Sequence, residues 1–132
     1  MPRSQAEYRL QCAVVDLLSI AAAPGVVWSA FPAGEARTVI TGARLKRSGL
    51  KPGWADLIFC LPPDGRYAGL ELKTLKGRPS LVQREVGAAI GLSGGLYHVA
   101  YGFADAMAWL NDMGIIRGVR GTKFEKQQEE LL

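Results

Sequence analysis

Three charged residues lie close together in a short stretch of predicted β-structure and could act on the same substrate. Asp56 lies on the first of two apolar runs, and Glu71 and Lys73 lie on the second. Carboxylate oxygens can hold Mg²⁺ or Mn²⁺ against a phosphate, and the metal lowers the pKa of a bound water. A nearby ammonium group stabilises the negative charge that develops during the reaction. These residue types therefore favour metal-dependent hydrolysis of a phosphodiester.

The turn between the two runs predicts how these residues are brought together. Residues 62–65 read Pro-Pro-Asp-Gly, which is typical of the loop of an antiparallel hairpin. Pairing across this loop gives one apolar face, made by Leu61 with Arg66, Phe59 with Ala68, Leu57 with Leu70 and Ala55 with Leu72. The same register places Asp56 opposite Glu71, where the two carboxylates repel unless one takes a proton or a cation lies between them. A bulge would shift this register and separate the side chains.

An acid followed, one hairpin later, by Glu-x-Lys resembles the pattern of the PD-(D/E)XK nuclease superfamily. The surrounding segments resemble its VRR-NUC branch, and they are Gly49-Leu-Lys-Pro-Gly53, Gly69-Leu-Glu-Leu-Lys73 and Gly77-Arg-Pro-Ser-Leu-Val-Gln83. The resemblance covers about residues 4 to 112. Ala55 stands where the superfamily pattern has proline, which changes no metal ligand.

The resemblance implies an α/β fold of the restriction-endonuclease-like kind, a sandwich in which helices flank a mixed sheet of about four strands. It implies a metal-dependent endodeoxyribonuclease in which Asp56, Glu71 and the backbone carbonyl of Leu72 bind Mg²⁺ or Mn²⁺ and Lys73 orients the attacking water. By analogy with small single-domain relatives, we expect a homodimer that acts on branched DNA such as a Holliday junction.

Two further residues have both a structural and a chemical interpretation. Glu7 is three residues after Ser4, which is the spacing of a helix capping box, and the resemblance implies a third acidic group near the metal. Gln83 has the same spacing from Ser80, and the resemblance implies that it positions a phosphate or the attacking water. Both interpretations stay open for each residue.

The charge of the chain favours a polyanionic partner such as DNA. There are 16 Lys and Arg residues against 12 Asp and Glu, which gives a net charge of +4. The basic residues near the proposed site are expected to hold the phosphate backbone, and they are Arg37, Arg44, Lys46, Arg47, Lys51, Lys76, Arg78 and Arg84. For the segment from residue 34 to 53, a solvated helix face is the alternative.

Periodicity and capping signals predict the remaining elements. Helices are expected over 4–22, 37–48, 80–93 and 103–113, and strands over 26–31 and 96–101. Residues 1–116 then form one nuclease-like domain, followed by a polar, charged tail over 117–132. His98 is expected to be a packed strand residue, and Trp54 a rim residue close enough to Asp56 to stack on a nucleotide.

Cysteine usage and hydropathy bear on the compartment. Cys12 and Cys60 have no neighbouring Cys or His at metal-ligand spacing and are expected to be buried free thiols. No apolar run is long enough for a membrane span, so a cytoplasmic protein with no membrane contact is expected.

Two other classes of function are compatible with the same sequence. A DNA-binding accessory module with a nuclease-like fold would not cut DNA, and it would be expected to lack the acidic pair or the lysine. A small-molecule hydrolase, or an unrelated α/β protein with a fortuitous hairpin, would show no salt-sensitive affinity for DNA.

Overall fold

The computed structural model describes residues 4–31 and 38–118, which form four helices and four strands. In chain order the elements are α1 (Gln5–Ala21), β1 (Val27–Ala30), α2 (Val39–Arg47), β2 (Leu57–Leu61), β3 (Arg66–Lys73), α3 (Leu81–Leu92), β4 (Leu96–Tyr101) and α4 (Phe103–Asp112). The order and bounds match the sequence-based expectations to within one or two residues. Arg37 and residues 119–132 of the expected tail lie outside the described residues.

The four strands form one mixed sheet in the order β1-β2-β3-β4. Strand β2 runs antiparallel to both β1 and β3, and β4 runs parallel to β3 after the crossover through α3. The hairpin register is the predicted one, with Leu57 opposite Leu70 and Leu61 opposite Arg66. The ladder ends at Leu57, so Asp56 lies just before β2 and is not one of its paired residues.

One face of the sheet packs against α1 and α4 to form the core. Strand alternation turns Leu57, Phe59 and Leu70 to this face, and all three are at most 1% exposed. They meet the apolar sides of the two helices, which contribute mainly Val14, Leu17, Leu18, Phe103, Ala106 and Leu110. Burial of each large aliphatic or aromatic side chain contributes about 1.5–3 kcal/mol, so this face provides most of the stability of the sheet.

The opposite face of the sheet carries α3 and the polar residues of β3. The ring of Tyr97 on β4 lies so close to α3 that a β-carbon on Gly87 would be 2.6 Å from it. Cys60, on this side of β2, is exposed, so α3 covers only part of the face, and the alternate residues of β3, including Glu71 and Lys73, lie on it.

Serine and threonine side chains begin three of the helices. Ser4, Thr38 and Ser80 each accept a hydrogen bond from the backbone N–H three residues later. Helix α2 differs from the others because none of its nine residues is buried. Its position therefore owes little to the core.

Two expectations from the sequence are wrong. Ala55 is fully buried but does not extend the core face. A β-carbon on Gly69 would point to the α3 side of the sheet, and it would lie 3.0 Å from the β-carbon of Ala55, so Ala55 is on that side. The chain can fold over the sheet there since Gly69 has no side chain.

Cys12 and Cys60 are free thiols, as expected, but both are exposed. Cys12 lies on the outer side of α1, away from Val14 and Leu17.

His98 packs as expected. Its ring lies parallel to that of Trp109 at 5.3 Å between centroids, and its Nε2 is 3.0 Å from Asp105 Oδ1. Over residues 4–31 and 38–118, no helix has the length and apolarity needed to cross a bilayer.

Candidate active site

Asp56 is held against β3 by its own side chain. Its Oδ2 accepts a hydrogen bond of 2.8 Å from the backbone N–H of Leu72, and its backbone carbonyl accepts one of 2.8 Å from Phe31. The carboxylate thus occupies the position where a ladder hydrogen bond would otherwise continue. This contact fixes the half-buried carboxylate of Asp56 against Leu72, which is the residue after Glu71.

Glu71 and Lys73 form a close, mostly buried pair on the same strand. Glu71 is 3% exposed, and its Oε1 lies 3.8 Å from Lys73 Nζ. A buried carboxylate is costly unless a cation or hydrogen-bond donors compensate it. The ammonium group therefore offsets the negative charge of Glu71, next in sequence to Leu72, whose N–H binds Asp56.

The loop that carries Asp56 is held under α3 by Gly53. This residue has φ of +94°, and a β-carbon there would be 2.7 Å from Val86 and 2.8 Å from Val82. Glycine is therefore required twice, for the backbone conformation and for the close approach of the helix. The contact sets the height of the loop over the sheet just before Asp56.

Tyr97 belongs to the same site, although the sequence alone does not identify it as a site residue. Its hydroxyl lies 3.5 Å from the carbonyl oxygen of Gly53, which is long for a hydrogen bond. Burial, followed by the charges of Glu71 and Asp56 and by Tyr67, raises the pKa of Tyr97 well above its usual value. The hydroxyl stays protonated at neutral pH and is a donor beside the two acids. Alternation along β4 gives its face, but the parallel register with β3 is not readable from local sequence.

Both residues with a double interpretation lie at capped helix N-termini, where Glu7 takes part through its backbone N–H and Gln83 also through its side chain. Ser4 Oγ accepts from the N–H of Glu7. At Ser80 the capping box is complete, because Gln83 Oε1 also accepts from the N–H of Ser80 at 2.8 Å. The amino group of Gln83 is still available to donate to a phosphate or a water, and that role stays a prediction.

The site offers a small set of oxygen donors that suits a hard divalent cation. These are the carboxylates of Asp56 and Glu71, with the backbone carbonyl of Leu72 directly after Glu71 in sequence. Such donors match Mg²⁺ or Mn²⁺ and would not suit a soft metal. Over residues 4–31 and 38–118, no group of three or more His, Cys, Asp or Glu side chains is gathered so as to hold a metal. Glu7 is thus not gathered with the other two acids.

The expected phosphate-binding residues lie on the surface. Within the described part of the chain all seven are exposed, namely Arg44, Lys46, Arg47, Lys51, Lys76, Arg78 and Arg84. Three of them lie in the last turn of α2, where positive charge also favours the helix dipole. Their contact with a phosphate backbone stays a prediction.

The chain is similar in structure to a solved protein described as a "VRR_NUC domain protein". The TM-score is 0.65 at 19% sequence identity, and the match covers 83% of this chain and 88% of the other. No family model matches the sequence, and no curated protein matches it. The predicted VRR-NUC-like fold, an α/β sandwich with a mixed four-stranded sheet, is confirmed.

Proposed function

We propose that this protein is a divalent-metal-dependent endodeoxyribonuclease. The observation that carries the proposal is the hydrogen bond from the Leu72 N–H to Asp56, which fixes one carboxylate beside the buried pair of Glu71 and Lys73. The likeness to a VRR_NUC domain protein supports the same assignment at the level of the fold.

The residues of the chain have distinct roles in this proposal. Asp56, Glu71 and the Leu72 carbonyl would hold Mg²⁺ or Mn²⁺, which supplies a water of lowered pKa and neutralises charge on the phosphate. Lys73 stabilises the negative charge that develops on the phosphate and orients the attacking water. The Tyr97 hydroxyl offers a neutral donor at the same place, and the exposed basic residues hold the flanking phosphates.

The finer part of the proposal concerns the substrate. We infer a preference for branched DNA, such as a Holliday junction, cut by a homodimer whose two sites face two strands. A DNA-binding module that does not cut is the second candidate. The presence of both acids and the lysine in the sequence argues against it.

The test uses end-labelled duplex, flap and four-way-junction DNA, incubated with the purified protein in Mg²⁺, Mn²⁺ or EDTA. We expect cleavage that requires the metal and is strongest on branched DNA. Asp56→Asn should abolish cutting while binding in EDTA remains. Binding without cutting in either metal would leave the accessory module as the function, and equal rates on all three substrates would refute the preference for branches.

A further inference from the structure

An aromatic cleft lies beside the proposed active site and takes no part in the chemistry above. We define it by Phe31, Lys51, Trp54, Ile58 and Tyr67, which line a cavity of about 490 Å³. Trp54 also lines a second cavity of about 460 Å³ against α3 and a third of about 290 Å³ next to Arg66. The half-buried indole thus lines all three of these mostly apolar cavities.

The geometry around Trp54 leaves room for a flat partner. Phe31 approaches the indole at 6.0 Å with the planes tilted by 45°, and Tyr67 approaches at 5.9 Å and 89°. Neither ring lies parallel to the indole. Flat molecules stack well on an indole face, and nucleobases of any sequence do so.

Two cations line the cavities around Trp54. Lys51 is exposed and lines two of them, and Arg66 lines the third. Aromatic and apolar walls with cations beside them complement a base and its neighbouring phosphates. A duplex hides its base faces in the stack, so only an unpaired base can use such a cleft.

The residues of the aromatic cleft lie close to the two acids along the chain. Trp54 is two residues before Asp56, and Tyr67 is four residues before Glu71 on the same face of β3, about 13 Å along the strand. A strand bound with one base on Trp54 can therefore continue to the carboxylates.

We propose that the aromatic cleft binds one unpaired nucleobase of a single DNA strand and so selects substrates with a single-stranded segment beside the cut. This inference rests on the proposed nuclease function, because it names the part of the substrate next to the scissile phosphate. Flaps supply such unpaired bases, a four-way junction supplies them only where base pairs at its branch point open, and continuous duplex supplies none.

The binding test uses fluorescein-labelled DNA of one sequence, as a single strand and as a duplex, titrated in EDTA with anisotropy as the readout. Trp54→Ala should weaken single-strand binding by about 5- to 150-fold, the loss expected for one base stacked on an aromatic ring. Trp54→Phe should lose much less, and duplex binding should be nearly unchanged. The matched control is Trp109→Phe, since Trp109 stacks on His98 on the other face of the sheet. Equal losses on single strand and duplex would overturn the proposal.

A second readout does not depend on the alanine variant being folded. Single strands carrying 2-aminopurine at successive positions should show quenching at one position with the wild type, and less with Trp54→Phe. No quenching at any position would refute stacking in the cleft. Tighter binding of an RNA strand of the same sequence would refute the assignment to DNA. A wild-type dimer that Trp54→Phe dissociates in sedimentation velocity would show instead that a second copy fills the cleft.

The two proposals can fail separately. Metal-dependent cutting that is insensitive to Trp54 would refute the cleft assignment and leave the nuclease. Single-strand binding that depends on Trp54, with no cutting in Mg²⁺ or Mn²⁺, would refute the nuclease and leave the cleft as the binding site of an accessory module.

Discussion

Two substitutions of Asp56 should separate its structural contribution from its chemical one. Asparagine keeps a side-chain oxygen that can accept from the Leu72 N–H, whereas alanine removes it. Leu72 is fully buried, so its N–H would then lack a partner. An unsatisfied buried donor costs about 1–3 kcal/mol, which is a large part of the total stability of a small domain, about 5–15 kcal/mol.

The comparison of the two variants is more informative than either one against the wild type. Both remove the negative charge of Asp56 and so relieve its repulsion from Glu71 to the same extent. Their difference then isolates the hydrogen bond. For a domain of 132 residues, 1–3 kcal/mol corresponds to a melting temperature about 4–11 °C lower for alanine than for asparagine.

The measurement is urea and thermal unfolding followed by circular dichroism in EDTA, so that metal binding does not contribute. Both variants should also lose cleavage in Mg²⁺. Asp16, exposed in α1, is the control, because alanine is the better helix former there and should be at least as stable as asparagine. If Asp56→Ala is as stable as Asp56→Asn, the contact with Leu72 does not hold the carboxylate, and the basis for the site is lost.

Three further predictions follow from the same geometry. Gly53→Ala should lower the free energy of unfolding in urea by about 2–5 kcal/mol, because of the positive φ and the close contacts with α3. Gly91→Ala, which has open space around it in the helix, should raise it by up to about 1 kcal/mol, and equal stabilities of the two variants would contradict the packing. Lys73→Met should reduce the cleavage rate by about 100-fold or more, while Arg9→Met, which removes an exposed cation on α1, should not; similar rates for the two would show that the ammonium at position 73 is dispensable. Burial, and then Cys60, raises the pKa of Tyr67 to about 12 from 10.0, so the stability it contributes is complete below pH 10 and is lost as the pH rises to about 12. Tyr67→Phe should therefore lose less stability than the wild type between pH 9 and about 12 in urea unfolding, and parallel losses would refute this origin.

The hairpin could be predicted from the sequence because its determinants are local. The turn residues 62–65 and the alternation on either side fix the register that pairs Leu57 with Leu70. That register also brings Asp56 near Glu71, although the contact runs through the Leu72 N–H and not through paired strands. The caps at Ser4 and Ser80 are equally local, since each depends on a residue three positions away.

The features that could not be predicted depend on contacts between distant parts of the chain. The place of Tyr97 follows from the parallel pairing of β4 with β3, which is set by the packing of α3. Ala55 leaves the core face because the chain bends over Gly69, and no periodic pattern marks that bend. Cys60 alternates with buried neighbours, but it faces the uncovered side of the sheet near the hairpin loop. Its apolar residue type predicts burial, so its exposure could not be predicted from the sequence.

Helix α2 has a consequence for how this domain could diversify. A helix of nine residues without a buried side chain is too short to be stable alone in water, so local opening of α2 should require little free energy. Replacement of its sequence should leave the scaffold intact. Variants of α2 could therefore acquire new nucleic-acid preferences while Asp56 and Glu71 stay where they are.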